Sequence, residues 1–364
     1  MHVTLVTGVS PKRGGASGTL TYVLGLARHL VLRGIRVSLV TRDGSDGVPE
    51  GVQVEALGGG SSSAGFLASL LAMGSSLGIP EDSIIHAQRP DDLAALALAG
   101  RRNPKVCTLH GNPSRGIRDR KGAFYGMVYR ELEWLGLRGA NRVIFVDRRT
   151  REEYVARYPW LANRANHVPT AVDTDAFRPM NRDQARVRFG VREDRVLLFA
   201  GRLSREKRVD TLIEAVDRLP RTELLIAGTG REEAALRDLA RGRRVRFLGA
   251  VPRTEMPLLM NAADLFLLPS AYEGLPSVIL EAFACGLPVA ATPVGDVPEI
   301  VVPGRTGWLI GHREDLAGTL ELALPDAGGM ARACIEIARR YSWTAFLDSI
   351  LEVYREATEA HDSV

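Results

Sequence analysis

The chain has 364 residues, 45% of them hydrophobic and 25% charged, with a formal net charge of +4. That balance fits a soluble globular protein of about two domains and excludes a disordered, collagen-like or low-complexity chain. The arginine excess suits an anionic partner without choosing one, and the well-separated Cys107, Cys285 and Cys334 exclude a disulfide framework or a cysteine-built zinc site.

Residues 3–7 read as a strand rather than as a basic leader with an apolar run, and the cysteine usage fits a reducing cytoplasm. No stretch approaches the ~18 consecutive apolar residues of a membrane span. A Gly- and Ser-rich loop (8–18) comes next. Leu20, Val23, Leu24, Ala27, Leu30 and Val31 then recur at helical spacing, Gly34 ends the helix, and 35–40 is a second strand. Parallel strands joined by a helix imply a right-handed crossover. The plan repeats with a strand at 196–200, a basic loop at 201–208, a helix at 209–219 and a strand at 223–227. Further strands are expected at 84–86, 105–109, 143–146, 245–248, 265–268 and 288–291, and helices at 64–77, 123–137, 231–241, 277–285 and 343–357. Two doubly wound α/β domains follow, joined by a proline-containing linker within 167–195. Ligands are expected beyond the carboxyl ends of the strands, in a cleft between the two lobes.

Three stretches carry chemistry. The first loop holds Lys12, Arg13, Gly14 and Gly15 before a helix, where bare N–H groups favour an anion. It has neither the dinucleotide nor the P-loop spacing, and a plain turn reads equally well. In the second, Arg202, Arg205, Lys207 and Arg208 crowd one strand-to-helix loop. A pyrophosphate between them would offset their repulsion, as would solvent around an ordinary basic loop. In the third, the strand at 265–268 breaks at Glu273 and Gly274 before a helix opens near Pro276 or Ser277. Ser277 offers an N-cap hydroxyl there. Glu281 follows among Val278, Ile279, Leu280, Ala282 and Phe283, so it is expected to be buried with hydroxyl or N–H partners, or paired with an arginine.

Gly201-Arg202-Leu203 with Lys207, followed by Glu273 and Glu281 in a Glu-Gly-Leu-Pro-Ser setting, resembles the retaining glycosyltransferase family 4. The resemblance runs nearly end to end, through Gly14-Gly15, Thr108-Leu109-His110-Gly111, Val172-Asp173, Ala227-Gly228-Thr229-Gly230 and Gly295-Asp296. It implies an α/β chain of the GT-B fold, two Rossmann-like domains facing each other across a deep cleft. Residues 1–172 would bind the acceptor, with the last helix (345–364) packing back on them. Residues 180–343 would bind a nucleotide sugar, with a linker at about 169–182.

The resemblance also implies roles. Arg202 and Lys207 would hold the donor diphosphate, Glu281 the ribose, and Glu273 with Gly274, Leu275, Pro276 and Ser277 the sugar and phosphates. Gly201 would lie beside them, Thr229, Gly230 and Val251 would meet the base, and His110 would face the transferred sugar. Gly14 and Gly15 would approach the phosphate or the acceptor. A UDP- or GDP-sugar would be the donor, and a sugar, lipid or small molecule the acceptor. No cofactor or metal is implied. Thr170-Ala171 and Asp147 depart from the family's usual residues on the acceptor side.

A nucleotide-sugar epimerase of this fold and a non-catalytic nucleotide-sugar binder are the rival readings. Arginines spread over many loops without interleaved aromatics disfavour nucleic acid. Basic residues at 115–121 lead into an apolar run with Phe124, Met127, Val128, Leu132 and Leu135. A core-facing helix is the preferred reading of that run, and a peripheral contact through 115–135 at the inner membrane face is the alternative.

Overall fold

The computed structural model of the protein describes residues 1–9, 18–44, 47–58, 62–114, 117, 122–311 and 316–363. The chain divides into two compact units, Met1–Pro169 with Trp343–Val364, and Thr170–Ser342.

The first unit contains β1 (His2–Thr7), α1 (Gly18–Leu32), β2 (Arg36–Thr41), β3 (Val52–Ala56), α2 (Ser63–Met73) and β4 (Ser83–Ala87). It continues with α3 (Pro90–Leu98), β5 (Lys105–Leu109), α4 (Ala123–Gly139), β6 (Arg142–Phe145), α5 (Arg148–Arg157) and β7 (Ala165–His167). The strands form one parallel sheet in the order β3-β2-β1-β4-β5-β6-β7. Central strands covered by helices on both faces are mostly apolar, and every residue of β1, β4 and β5 is buried, including the polar His86 and Thr108. The edge strands β3 (Val-Gln-Val-Glu-Ala) and β7 (Ala-Asn-His) lack that signature, and sequence reading misses both.

The apolar run at 124–135 is core-facing only in part. Helix α4 buries Gly126, Tyr129, Glu133, Gly136 and Leu137, Leu132 and Leu135 are half-buried, and Phe124, Met127 and Val128 are 66%, 51% and 45% exposed. The helix packs closely on α3, where a Cβ at Gly136 would run into the Pro90 carbonyl.

The second unit contains α6 (Arg182–Arg188), β8 (Arg195–Ala200), α7 (Val209–Val216), β9 (Thr222–Ala227), α8 (Glu233–Leu239), β10 (Val245–Gly249) and α9 (Met256–Ala262). It goes on through β11 (Leu265–Leu268), α10 (Ser277–Ala284), β12 (Val289–Ala291), α11 (Val297–Ile300), β13 (Gly307–Leu309), α12 (Leu316–Ala323) and α13 (Ala331–Arg340). Its parallel sheet has the order β10-β9-β8-β11-β12-β13. Much of the stretch expected as linker is structured. Val172 and Phe177 belong to the core of this unit, Val172 N donates to the Tyr341 carbonyl at 2.8 Å, and Asn181 caps α6.

The terminal helix α14 (Trp343–Asp362) packs within the first unit. Trp343 stacks on His29 at 4.7 Å and fills the space a side chain on Gly25 would need. Phe346 meets Tyr22 edge-on at 5.5 Å, and Arg142 Nε donates to Glu356 at 2.8 Å.

Candidate active site

In the second unit the loops beyond the carboxyl ends of the strands are joined backbone to backbone. Leu203 N donates to the Thr229 carbonyl at 2.9 Å, Gly228 N to the Gly249 carbonyl at 2.7 Å, and Gly201 N to the Ala227 carbonyl at 2.9 Å. Ala271 N donates to Glu206 at 2.7 Å, and Asp296 N to Gly274 at 3.1 Å. Gly228 and Gly230 stand so close to the carbonyls of Gly201 and Leu203 that neither could carry a Cβ. Arg208 closes the basic loop in the left-handed region at φ 50° and starts α7. These bonds bring Gly201, Arg202, Lys207, Thr229, Gly230, Glu273 and Gly274 to one end of the sheet.

The charges are paired across that frame. Lys207 Nζ donates to Glu273 Oε1, with both side chains largely buried. Arg202 is exposed beside them on the same loop. Leu275 is buried, and Val251 packs against the core. The expected Ser277 cap is absent: Pro276 holds the N-cap position at φ −73° with no side-chain hydrogen bond, and Ser277 is the first helical residue. The ring's fixed φ sets the entry to the helix one residue early.

Glu281 is buried in α10, as expected, and the arginine alternative supplies its partner. Arg253 Nη1 donates to Oε1 at 2.8 Å and lies 5.0 Å over the Phe177 ring. Burial raises the Glu281 pKa, and Arg253 offsets part of that rise. No motif marks Arg253 in the sequence.

In the first unit His110 directly follows β5, with Nε2 2.9 Å from Gln88 Oε1 and the ring edge-on to Tyr22 at 4.8 Å. Although the His110 side chain is exposed, the protein packed around it lowers its pKa to about 4 by desolvation. His86 lies deeper. Its Nδ1 is 2.7 Å from the Tyr354 hydroxyl, its Nε2 is 2.7 Å from Thr108 Oγ1, and Thr108 in turn is 3.4 Å from the Tyr22 hydroxyl. Asp147, one of the departures from the family pattern, caps α5 by accepting from Thr150 N at 2.7 Å. Gly14 and Gly15 lie outside the described residues. Sequence reading misses Gln88, a single polar residue just past a strand. Among the described residues no three His, Cys, Asp or Glu side chains group as metal ligands, and no helix is long and apolar enough to cross a membrane.

Two Rossmann-like units with charged and glycine-rich loops at the strand ends define the GT-B class of glycosyltransferase. The sequence matches the Glycosyl transferases group 1 profile over residues 181–341 and the Glycosyltransferase Family 4 profile over residues 16–176, and the chain belongs to this enzyme family. A D-inositol 3-phosphate glycosyltransferase of Mycobacteroides abscessus is 37% identical over 231 residues, which cover 60% of this chain and 52% of that protein. D-inositol 3-phosphate glycosyltransferase 1 of Catenulispora acidiphila is 29% identical over 96% of this chain and 93% of its own length. The chain spans about half the length of the mycobacterial relatives it matches. Anabaena HepE, solved in complex with UDP and glucose, has a TM-score of 0.79 at 22% identity, covering 97% of this chain and 99% of that one.

Proposed function

We propose that the protein transfers a sugar from a nucleotide-diphosphate donor to an acceptor hydroxyl with retention of configuration and without a metal ion. The observation that carries this reading is the frame of strand-end loops in the second unit, with Lys207 held against Glu273 and Arg202 exposed on the same loop as Lys207. Arg202 and Lys207 bind the diphosphate and stabilise the negative charge that grows as it leaves, the kind of preorganised electrostatics that dominates such reactions. Glu273, the backbone of Gly274 to Pro276, and Ser277 meet the sugar and phosphates. Glu281 accepts from the ribose hydroxyls, and Thr229, Gly230 and Val251 border the base.

His110 faces the transferred sugar, and Gly14 and Gly15 lie by the phosphate or the acceptor. The acceptor oxygen bonds to the anomeric carbon on the face from which the nucleotide diphosphate departs, as the bond from that carbon to the diphosphate oxygen breaks and the hydroxyl proton passes to the departing oxygen. No side chain is assigned as the base. The complex of HepE with UDP and glucose favours UDP over GDP as the donor nucleotide, and the names of the relatives favour a phosphorylated polyol as acceptor.

A second element of the reading is a cytoplasmic protein that touches the inner membrane face through residues 115–135. The exposure of Phe124, Met127 and Val128 beside a basic stretch of sequence supports it.

Thermal shift against UDP-, GDP- and ADP-sugars tests the donor site, because a ligand that binds only the folded state raises its apparent stability. One nucleotide series is expected to stabilise the protein, and acceptor-dependent release of that nucleotide distinguishes a transferase from an epimerase or a binding protein. Absence of both responses overturns the proposal.

A further inference from the structure

We infer that Gln88 is a positioning residue for the transfer: it holds His110 as the neutral tautomer protonated on Nε2, leaving Nδ1 to accept from a hydroxyl of the bound sugar. The inference rests on the reading above, in which His110 faces that sugar.

The geometry is specific. Gln88 sits just past β4, and β4 pairs with β5, the strand that His110 follows. Its main chain is fixed by donation from Gln88 N to the Val6 carbonyl at 3.1 Å. The side chain is 3% exposed and sets Oε1 at 2.9 Å from His110 Nε2. The side chain turns Oε1, not Nε2, to the ring, and the amide's own Nε2 has no partner among the described residues. An oxygen that only accepts requires a proton on the imidazole nitrogen facing it, and the partner of one ring nitrogen thereby decides the state of the other.

The choice of an amide matters as much as its position. A carboxylate in this place would favour imidazolium, whereas a carboxamide carries no charge to do so. The other groups against His110 do not replace one. Tyr22 presents a ring edge and directs its hydroxyl towards Thr108, and His86 has both nitrogens engaged by Tyr354 and Thr108. Desolvation acts in the same direction and lowers the His110 pKa to about 4. A neutral ring suits a site where the anomeric carbon gains positive character, because an imidazolium there would oppose the transition state.

The test uses the full chain labelled with ¹⁵N, with imidazole resonances recorded between pH 4 and 8 and kcat followed over the same range. Wild type should show His110 with its proton on Nε2 throughout the neutral range. Gln88→Leu should give mixed tautomers and a kcat about tenfold lower, the scale of one lost hydrogen bond, with little change in donor KM. Gln88→Glu should raise the imidazole midpoint by about one to three pH units and move the acid limb of kcat by the same amount. A purely structural role would lower stability without moving either midpoint. An unchanged tautomer in Gln88→Leu, or an unmoved midpoint in Gln88→Glu, overturns the inference. His110→Ala separates this from the parent reading: full turnover in that variant removes His110 from the transfer, whatever the spectra of the Gln88 variants show.

Discussion

His86 and Tyr354, 268 positions apart in sequence, share a hydrogen bond of 2.7 Å between the imidazole Nδ1 and the phenol hydroxyl, both fully buried. The last helix is thereby bonded to a central strand of the first unit. Burial, with a smaller contribution from His110, lowers the His86 pKa to about 3. An unfolded histidine titrates near ~6.5.

Below that value the unfolded chain takes up a proton that the folded chain does not, so stability falls as the pH drops from ~6.5 towards 3. The expected slope from His86 in that window is about 1.4 kcal/mol per pH unit. Urea unfolding at pH 7.5 and 5.0 checks it, and equal stability at both would contradict the assignment. Tyr354→Phe should cost about 1–3 kcal/mol at pH 7.5, because it leaves a buried ring nitrogen without a partner.

Arg202→Ala and Lys207→Ala should each lower kcat about 100-fold or more, the scale of one lost electrostatic donor, while circular dichroism stays unchanged. Lys207→Ala also leaves Glu273 without its cation, so it should weaken donor binding as well. Near-normal turnover in both variants would take the pair out of the mechanism.

On the proposed reading turnover should survive EDTA, since the two cations would stand at the diphosphate where a metal could otherwise act. A loss on chelation that magnesium or manganese restores would disprove this assignment.

Glu281→Gln should weaken nucleotide binding about tenfold by titration calorimetry, because a neutral amide is the poorer acceptor for ribose hydroxyls. The pH dependence has the opposite sign to that of His86. Burial raises the Glu281 pKa, so its charge reduces stability as the pH rises from ~4.5 through the folded value. The glutamine variant should lack that slope. Unchanged donor affinity would exclude the ribose role.

Vesicles containing anionic lipid should retain the protein and neutral vesicles should not. Replacing Phe124, Met127 and Val128 with serine should release it without unfolding it, since all three are exposed. Charge reversal at Arg118, Arg120 and Lys121 should do the same. Equal absence from both vesicle types ends the membrane reading.

How much was legible depended on how far a residue's role showed in its neighbours. The βαβ starts were readable because buried parallel strands are rich in Val and Leu and glycine ends α1 at Gly34, with φ 75°. Lys207 and Glu273 stood out within dense local motifs, although their pairing across two loops did not. Gln88 and Arg253 hydrogen-bond to residues 22 and 28 positions away, a distance at which one sequence carries no periodic trace. The exposed start of α4 was not legible because apolar content suggested an inward face for the whole run, whereas the helix packs closely on α3 at Gly136.

Among the strand-end loops of the second unit, backbone touches backbone at Gly228 on Gly201, Gly230 on Leu203, and Gly295 on Glu273 and Gly274. Insertions or loop exchanges there would wedge apart segments that have no slack. A lineage that acquires a new donor must therefore do it by exchanging side chains on an inherited frame. An engineer seeking altered donor preference should likewise randomise positions such as Val251 and Leu275 and leave the lengths of these loops untouched.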